Sequence, residues 1–195
     1  MEEQEVSGGT HRESNWKREA LDWVKALVLA GALVLVIRIF LFSPYIVDGP
    51  SMKPNFHTGE RIIVNKILYD IREPRRGEVI VFHSGYNGDY IKRVIALPGE
   101  TVEVRGDDVL INGKKMEEPY IREEVEKAKA AGGLYNREKD YPPTTVPEGH
   151  VFVMGDNRSN SHDSRSIGFI PYEKIVGRAD IVIWPLRDIR LIEHY

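Results

Sequence analysis

Residues 26–42 are apolar at every position except Arg38, about 25 Å of chain at helical rise. Trp23 and Val24 extend the run toward the ~30 Å of a bilayer core. The pattern predicts a single membrane-crossing helix over 20–42, with Lys25 and Arg38 reaching toward opposite headgroup layers. A cleaved leader needs small side chains just after its apolar stretch, and Phe40-Leu41-Phe42-Ser43-Pro44-Tyr45 is bulky there, so the segment reads as an uncleaved anchor. A buried core helix is a third reading, but nothing downstream offers helices to pack it. Arg12, Lys17, Arg18 and Lys25 precede the run, while Lys53, Arg61 and Lys66 follow it. That balance leans toward a cytoplasmic N-terminus. Residues 1–19 are polar and of mixed charge and read as a disordered tail.

Beyond the apolar run the period changes from helix to strand. Short β-branched stretches fall at 45–47, 61–64, 78–82, 90–97, 101–104, 151–154 and 179–184, separated by turns rich in Gly, Pro, Asn and Asp. Residues 109–116 form a hairpin signal in which Asn112-Gly113 supplies two positive-φ positions. Residues 123–131 read as a short exposed helix ended by Gly132-Gly133. The expected fold is mainly β: a barrel-like domain of short antiparallel strands over 43–195, preceded by the membrane helix.

Composition narrows the chemistry. The 195 residues suffice for one anchor and one domain. A formal net charge of −3 gives no basic footprint, so nucleic acid is not an expected partner. The chain has no cysteine, which removes thiol nucleophiles, disulfides and Cys-ligated zinc together.

Two segments carry candidate chemistry. In Gly49-Pro50-Ser51-Met52-Lys53-Pro54 the prolines stiffen the chain around a single serine, and Gly49 lets another backbone approach. Most serines beside Pro and Gly are plain turn residues. Here the preceding stretch at 45–47 adds an open strand edge on which an extended peptide can pair. In the strand 90–97, Tyr90, Lys92, Val94 and Ala96 share one face, and Ile91, Arg93, Ile95 and Leu97 the other. Lys92 thus stands among apolar side chains. Desolvation would lower its pKa and let it serve as a neutral base toward Ser51, the alternative being a lysine that snorkels off a sheet edge. The third segment, 155–166, is dense in hydrogen-bonding groups. A calcium loop fits poorly, because Arg158 occupies a ligand position and no glutamate closes the loop. A solvated loop and a polar shell supporting Lys92 both remain open. A Ser-His-Asp relay through His162 is disfavoured, since His162 and Asp163 are sequence neighbours that point apart. An inactive peptide-binding β-domain is the reading from a different class.

In this order the segments resemble the type I signal peptidases, or leader peptidases, of the Gram-positive kind, which are Ser–Lys serine proteases. The matching motifs are Ser51-Met52-Lys53-Pro54, Arg76-Gly77-Glu78-Val79, Lys92-Arg93 with Pro98-Gly99-Glu100, and Gly155-Asp156-Asn157-Arg158 with Ser161, Asp163, Ser164 and Arg165. The resemblance implies a membrane-bound endopeptidase with Ser51 as nucleophile and Lys92 as general base. Ser161 would orient the lysine amine, and Asp163 and Arg165 would hold the surrounding turn. The oxyanion would meet the Ser51 N–H and a second donor near Gly49. Enzymes from Gram-negative bacteria place a serine hydroxyl at that second position, so glycine leaves its identity open. Tyr45, Val47, Tyr90 and Ile91 would line pockets for an Ala-x-Ala cleavage sequence. No cofactor or metal is implied. The partners implied are preprotein signal peptides and the lipid bilayer, with the export machinery beside them. The catalytic domain would lie outside the plasma membrane, carrying a short non-catalytic insertion at about 104–145. Asn55, Glu78 and Ala96 depart from the family's usual threonine, aspartate and glycine.

Overall fold

The computed structural model describes residues 15–36, 41–85, 88–137 and 140–195. Two units are distinguished, Met1–Leu41 and Phe42–Tyr195. In the first, helix α1 spans Asn15–Val36. Its opening turns carry Lys17, Arg18, Glu19, Asp22 and Lys25, and its second half is apolar. Leu27, Val28, Leu29 and Leu33 all lie exposed. Among the described residues no helix is long and apolar enough to cross a membrane. The expected span of 20–42 includes 37–40, which lie outside the described residues, as does most of the expected tail at 1–19.

The second unit is built from antiparallel strands. They are β1 (Phe42–Ile46), β2 (Arg61–Asn65), β3 (Val79–His83), β4 (Asp89–Ala96), β5 (Thr101–Arg105), β6 (Asp108–Ile111), β7 (Lys114–Lys115), β8 (Tyr141–Thr145), β9 (His150–Met154), β10 (Ile170–Pro171), β11 (Ile175–Trp184) and β12 (Arg190–Leu191). The larger sheet runs β1-β2-β11-β3-β4-β9-β10, with β12 paired to β11, and the smaller runs β7-β6-β5-β8. The mainly-β, antiparallel expectation therefore holds. Asn112 and Gly113 take φ of 51° and 76° at the tip of the β6–β7 hairpin, where only such residues turn tightly enough. Helix α2 covers Leu68–Ile71, α3 the charged stretch Arg122–Ala130, and α4 the single turn Ser164–Ile167.

Strand β4 positions the site. It is central, and every residue from Ile91 to Ala96 is buried. Ile91 packs with Val47, Met52, Ile62 and Val81 in one apolar cluster, Val94 with Ile80, Phe82 and Val153 in a second, and Ile95 and Ala96 with Val102 and Phe152 in a third. Ile95 and Ala96 share a cluster because the register of β4 against β9 shifts between Val94 and Ala96, which breaks strict alternation. Lys92 and Arg93 sit mid-strand, both almost wholly shielded from water.

Candidate active site

The backbone ladder continues past β1, since Val47 N donates to Glu60 O at 2.9 Å and Gly59 N to Val47 O at 2.9 Å. Gly49 follows with φ +88°, a conformation that side chains with a Cβ resist. The next turn is closed by Lys53 N donating to Pro50 O at 3.1 Å. Met52, fully buried in the cluster around Val47, anchors that turn and leaves the Ser51 side chain partly exposed at its crest.

Lys92 reaches this turn from β4. Its Nζ donates to Ser51 Oγ at 2.9 Å and to the Ile91 carbonyl at 2.8 Å, and lies 5.1 Å from the centre of the Tyr90 ring. Burial lowers its pKa from 10.5 to about 8, partly opposed by the nearby carboxylates of Asp163 and Asp156. Near neutral pH a useful fraction of the amine is therefore neutral and able to take a proton.

Segment 155–165 backs the pair. Asn157 N donates to Ser51 O at 3.0 Å, and Asn157 Nδ2 to Pro50 O at 3.1 Å, so the loop grips the serine turn through its backbone. This grip needs a residue without a Cβ at Gly155, where an added carbon would stand 2.5 Å from Ser51 O and 2.2 Å from Ser161 Oγ. Asp163 caps α4 and accepts from Arg165 Nε at 2.8 Å, Arg165 Nη2 at 2.7 Å and Gly155 N at 3.0 Å. Burial alone would raise the Asp163 pKa, but Arg165, the Gly155 N–H and the Ser161 hydroxyl outweigh it and hold the group ionised. Arg165 also donates to Asn136 Oδ1 and Arg158 O. The carboxylate of Asp163 is thus turned to Arg165, while His162 lies exposed with its ring edge-on to Tyr90, a geometry foreign to a Ser-His-Asp relay. Asp156 and Asp163 are committed to Arg93 and Arg165 respectively, which removes the calcium-loop reading.

Ser51 and Lys92 lie in a cleft of about 240 Å³. Tyr45, Val47, Gly49, Tyr90 and Ile91, all singled out in the sequence, line it beside them, together with Asp89, Asn160 and His162.

The sequence profile described as signal peptidase, peptidase S26, matches residues 20–184. The chain belongs to the S26 family of signal peptidases. It is therefore a peptidase, and a hydrolase. A signal peptidase I of Bacillus amyloliquefaciens is 44% identical over 183 residues, covering 93% of this chain and 97% of its own length. The signal peptidase I S of Bacillus subtilis strain 168 is 44% identical over 178 residues, covering 89% and 94%. The crystal structure of a signal peptidase I from Enterococcus faecalis V583 superposes with a TM-score of 0.49 at 38% identity, covering 55% of this chain and 97% of that one.

Several residues of this S26 site were given no role by the sequence reading. Arg93 is paired in bidentate fashion with Asp156 (2.9 and 2.8 Å), donates to Gly77 O and Glu193 O, and lies over the Tyr120 ring at 4.1 Å. Asn55, one of the departures from the family pattern, donates to Asp156 Oδ2 at 2.7 Å and to Tyr120 O at 3.0 Å. Arg158 is buried against Glu118, and Tyr135 donates to Asp156 O at 2.9 Å. Glu78, another departure, binds Arg72, Arg178, Tyr69 and the Arg75 N–H. One signal was available: an arginine inside an apolar strand demands a buried acid, and Asp156 closely follows the apolar strand 151–154.

Proposed function

We propose that this chain is a membrane-anchored serine endopeptidase that removes N-terminal signal peptides after a small-x-small sequence, Ala-x-Ala being the preferred form. The contact of Lys92 Nζ with Ser51 Oγ at 2.9 Å, made by a lysine that burial has brought to a pKa of about 8, carries the proposal. Ser51 Oγ attacks the carbonyl carbon of the second small residue, and Lys92 takes the hydroxyl proton. The oxyanion is met by the Ser51 N–H, with a second donor from the neighbourhood of Gly49. Collapse breaks the C–N bond, and the Lys92 ammonium returns its proton to the leaving amine. Water, deprotonated by Lys92, then releases the signal peptide from Ser51. Ser161 orients the amine, and Asp163 and Arg165 hold the turn that carries Ser161. Tyr45, Val47, Tyr90 and Ile91 form the pockets for the two small side chains.

The exposed apolar half of α1 supports an anchor over 20–42, with the N-terminus cytoplasmic and 43–195 outside the plasma membrane. An anchored enzyme and a membrane-inserted signal sequence meet in one plane, which raises their effective concentration. The barrel-like form of the catalytic core belongs to the same reading, supported by register shifts in β11 and β4 that bend the larger sheet.

Incubation of the full chain in detergent with a preprotein bearing an Ala-x-Ala site should give one cut, located by mass spectrometry directly after the second alanine. A product beginning elsewhere, or an intact preprotein, refutes the reading. The rate should also follow the free amine, climbing as pH rises through about 8 and levelling above it. A rate that peaks below pH 7 would assign the base to another group.

A further inference from the structure

Ala-x-Ala, the sequence that the proposed reading assigns to the substrate, occurs twice in this chain, at Ala30-Gly31-Ala32 and at Ala128-Lys129-Ala130. The first lies in the apolar half of α1, where a membrane-embedded backbone stays helical because lipid offers it no other hydrogen-bond partner. The second closes α3 and is followed by Ala131-Gly132-Gly133. Every residue from Lys129 to Leu134 is exposed, and α3 buries none of its side chains. Little holds this end of the helix. Ala131 N donates to Lys127 O at 3.1 Å, Gly132 N to Lys129 O at 2.9 Å and Gly133 N to Ala128 O at 3.0 Å, and Gly132 ends the helix with φ +76°. The ion pairs of Lys127 with Glu123 and Glu124, at 2.8 and 2.9 Å, are largely exposed and add little. Firm anchorage lies outside the stretch. Tyr120 and Ile121 are buried before it, and after it Tyr135 donates to Asp156 O at 2.9 Å and Asn136 N to Asp107 Oδ1 at 2.7 Å. Local opening is easiest where few buried contacts resist it, so residues 122–134 can unwind while the sheets stay closed.

We infer that the Ala130–Ala131 bond is a processing site within this chain, cut by the Ser51–Lys92 pair of a second copy, which reaches the exposed loop without disturbing the anchors on either side of it. The inference rests on the proposed peptidase reading and adds the chain itself to the substrates. Once unwound, 128–130 is an extended strand in which Ala128 and Ala130 point to one face and Lys129 to the other. The two methyl groups enter the cleft beside Ser51, and Lys129 stays toward water. Ser51 Oγ of the cutting copy adds to the Ala130 carbonyl carbon, and Lys92 takes the hydroxyl proton. The Ala130–Ala131 C–N bond breaks as Lys92 returns that proton to the Ala131 nitrogen. Water, deprotonated by Lys92, then frees Ala130 as a carboxylate and restores Ser51. The products are residues 1–130, which keep Ser51 and Lys92, and 131–195, which keep Ser161, Asp163 and Arg165. Strand β4 pairs with β9 and β5 with β8 across the cut, so the two pieces remain one folded domain.

The test follows the full chain in detergent, with fragments identified by intact mass. Wild type should yield a new piece that begins at Ala131, at a rate that climbs more steeply than in proportion to concentration. Ser51→Ala alone should stay whole, yet be cut at the same bond by a small amount of wild type, a tag distinguishing the two. Ala130→Leu and Ala128→Leu, each placed on the Ser51→Ala chain, should slow that cut at least about tenfold, the scale on which an apolar pocket separates side chains by size. Leucine is a good helix former, so neither change should unfold α3. In a chain with Ser51 intact, both should leave cleavage of an added preprotein unchanged. A wild-type chain that stays whole, a cut at another bond, or nicking of Ser51→Ala by itself overturns the inference. So does a Ser51→Ala chain that wild type leaves whole, or a cut that neither leucine slows. The preprotein in the same tube separates the two readings. Preprotein cut beside an intact chain sinks the processing site and leaves the peptidase reading standing. A cut at Ala130 beside an intact preprotein does the reverse, and loss of both cuts rejects both.

Discussion

Lys92→Met is expected to lower cleavage of an Ala-x-Ala substrate by at least about a thousandfold while raising the stability of the fold by about 3 kcal/mol at neutral pH. Both effects come from one cause. Lys92 is 3% exposed, and burial holds its pKa near 8 instead of 10.5. Below pH 8 the unfolded chain carries the proton at no cost, whereas the folded chain must either carry it desolvated or give it up. The depressed pKa is therefore a destabilising contribution, present in full below about 8 and fading as pH rises toward 10.5. Methionine fills a similar volume without a charge, so it removes that strain together with the base. Ser51→Ala should cost as much activity, because the pair acts as a unit, yet leave stability nearly unchanged at a partly exposed turn. Thermal melting of both variants at pH 7 and pH 10, beside kcat/KM, separates the cases. The gain for Lys92→Met should be largest at pH 7. A methionine variant that melts at or below the wild-type temperature means that the buried amine is not under strain, and residual cleavage near the wild-type rate means that it is not the base.

How much of this was legible follows from how local each cause is. The stiffness of the Ser51 turn is written in Gly49, Pro50 and Pro54, and the desolvation of Lys92 in its apolar neighbours on β4. The Asn112–Gly113 hairpin and the charged helix α3 are likewise local. Strict alternation along β4 was not reliable, because the shift against β9 depends on a partner strand that begins more than fifty residues later. Strand β8 contains Pro142 and Pro143, which argue against a strand in isolation, yet it lies at the end of the smaller sheet, where missing N–H donors are tolerated. The pairing of Arg93 with Asp156 joins positions 63 apart. Adjacent cations on one buried strand face opposite sides and meet different chemistry. Lys92 relieves its burial by losing a proton, while a guanidinium cannot, and so Arg93 requires an acid delivered by the fold.

Asp156→Ala should show how much the site depends on that acid, destabilising the domain by about 3–5 kcal/mol through an arginine left charged and unpaired in the core. Asp156 is completely buried, and besides the two bonds from Arg93 it accepts one from Asn55, which ties the segment after Ser51 to the 155–165 loop. Its loss thus loosens both the strand that carries Lys92 and the turn that carries Ser51. The paired variant Arg93→Met, Asp156→Leu provides the control. It removes both charges, so it should recover part of the lost stability, though not all, because Gly77 O and Glu193 O lose the donor that Arg93 supplies. A paired variant less stable than Asp156→Ala would mean that packing around Arg93, rather than charge balance, dominates. Activity gives an independent readout. The Asp156 carboxylate favours the Lys92 ammonium, so where Asp156→Ala retains cleavage the rising limb of its pH profile should move below 8. A limb that stays in place would mean that Asp156 acts on the site through structure alone.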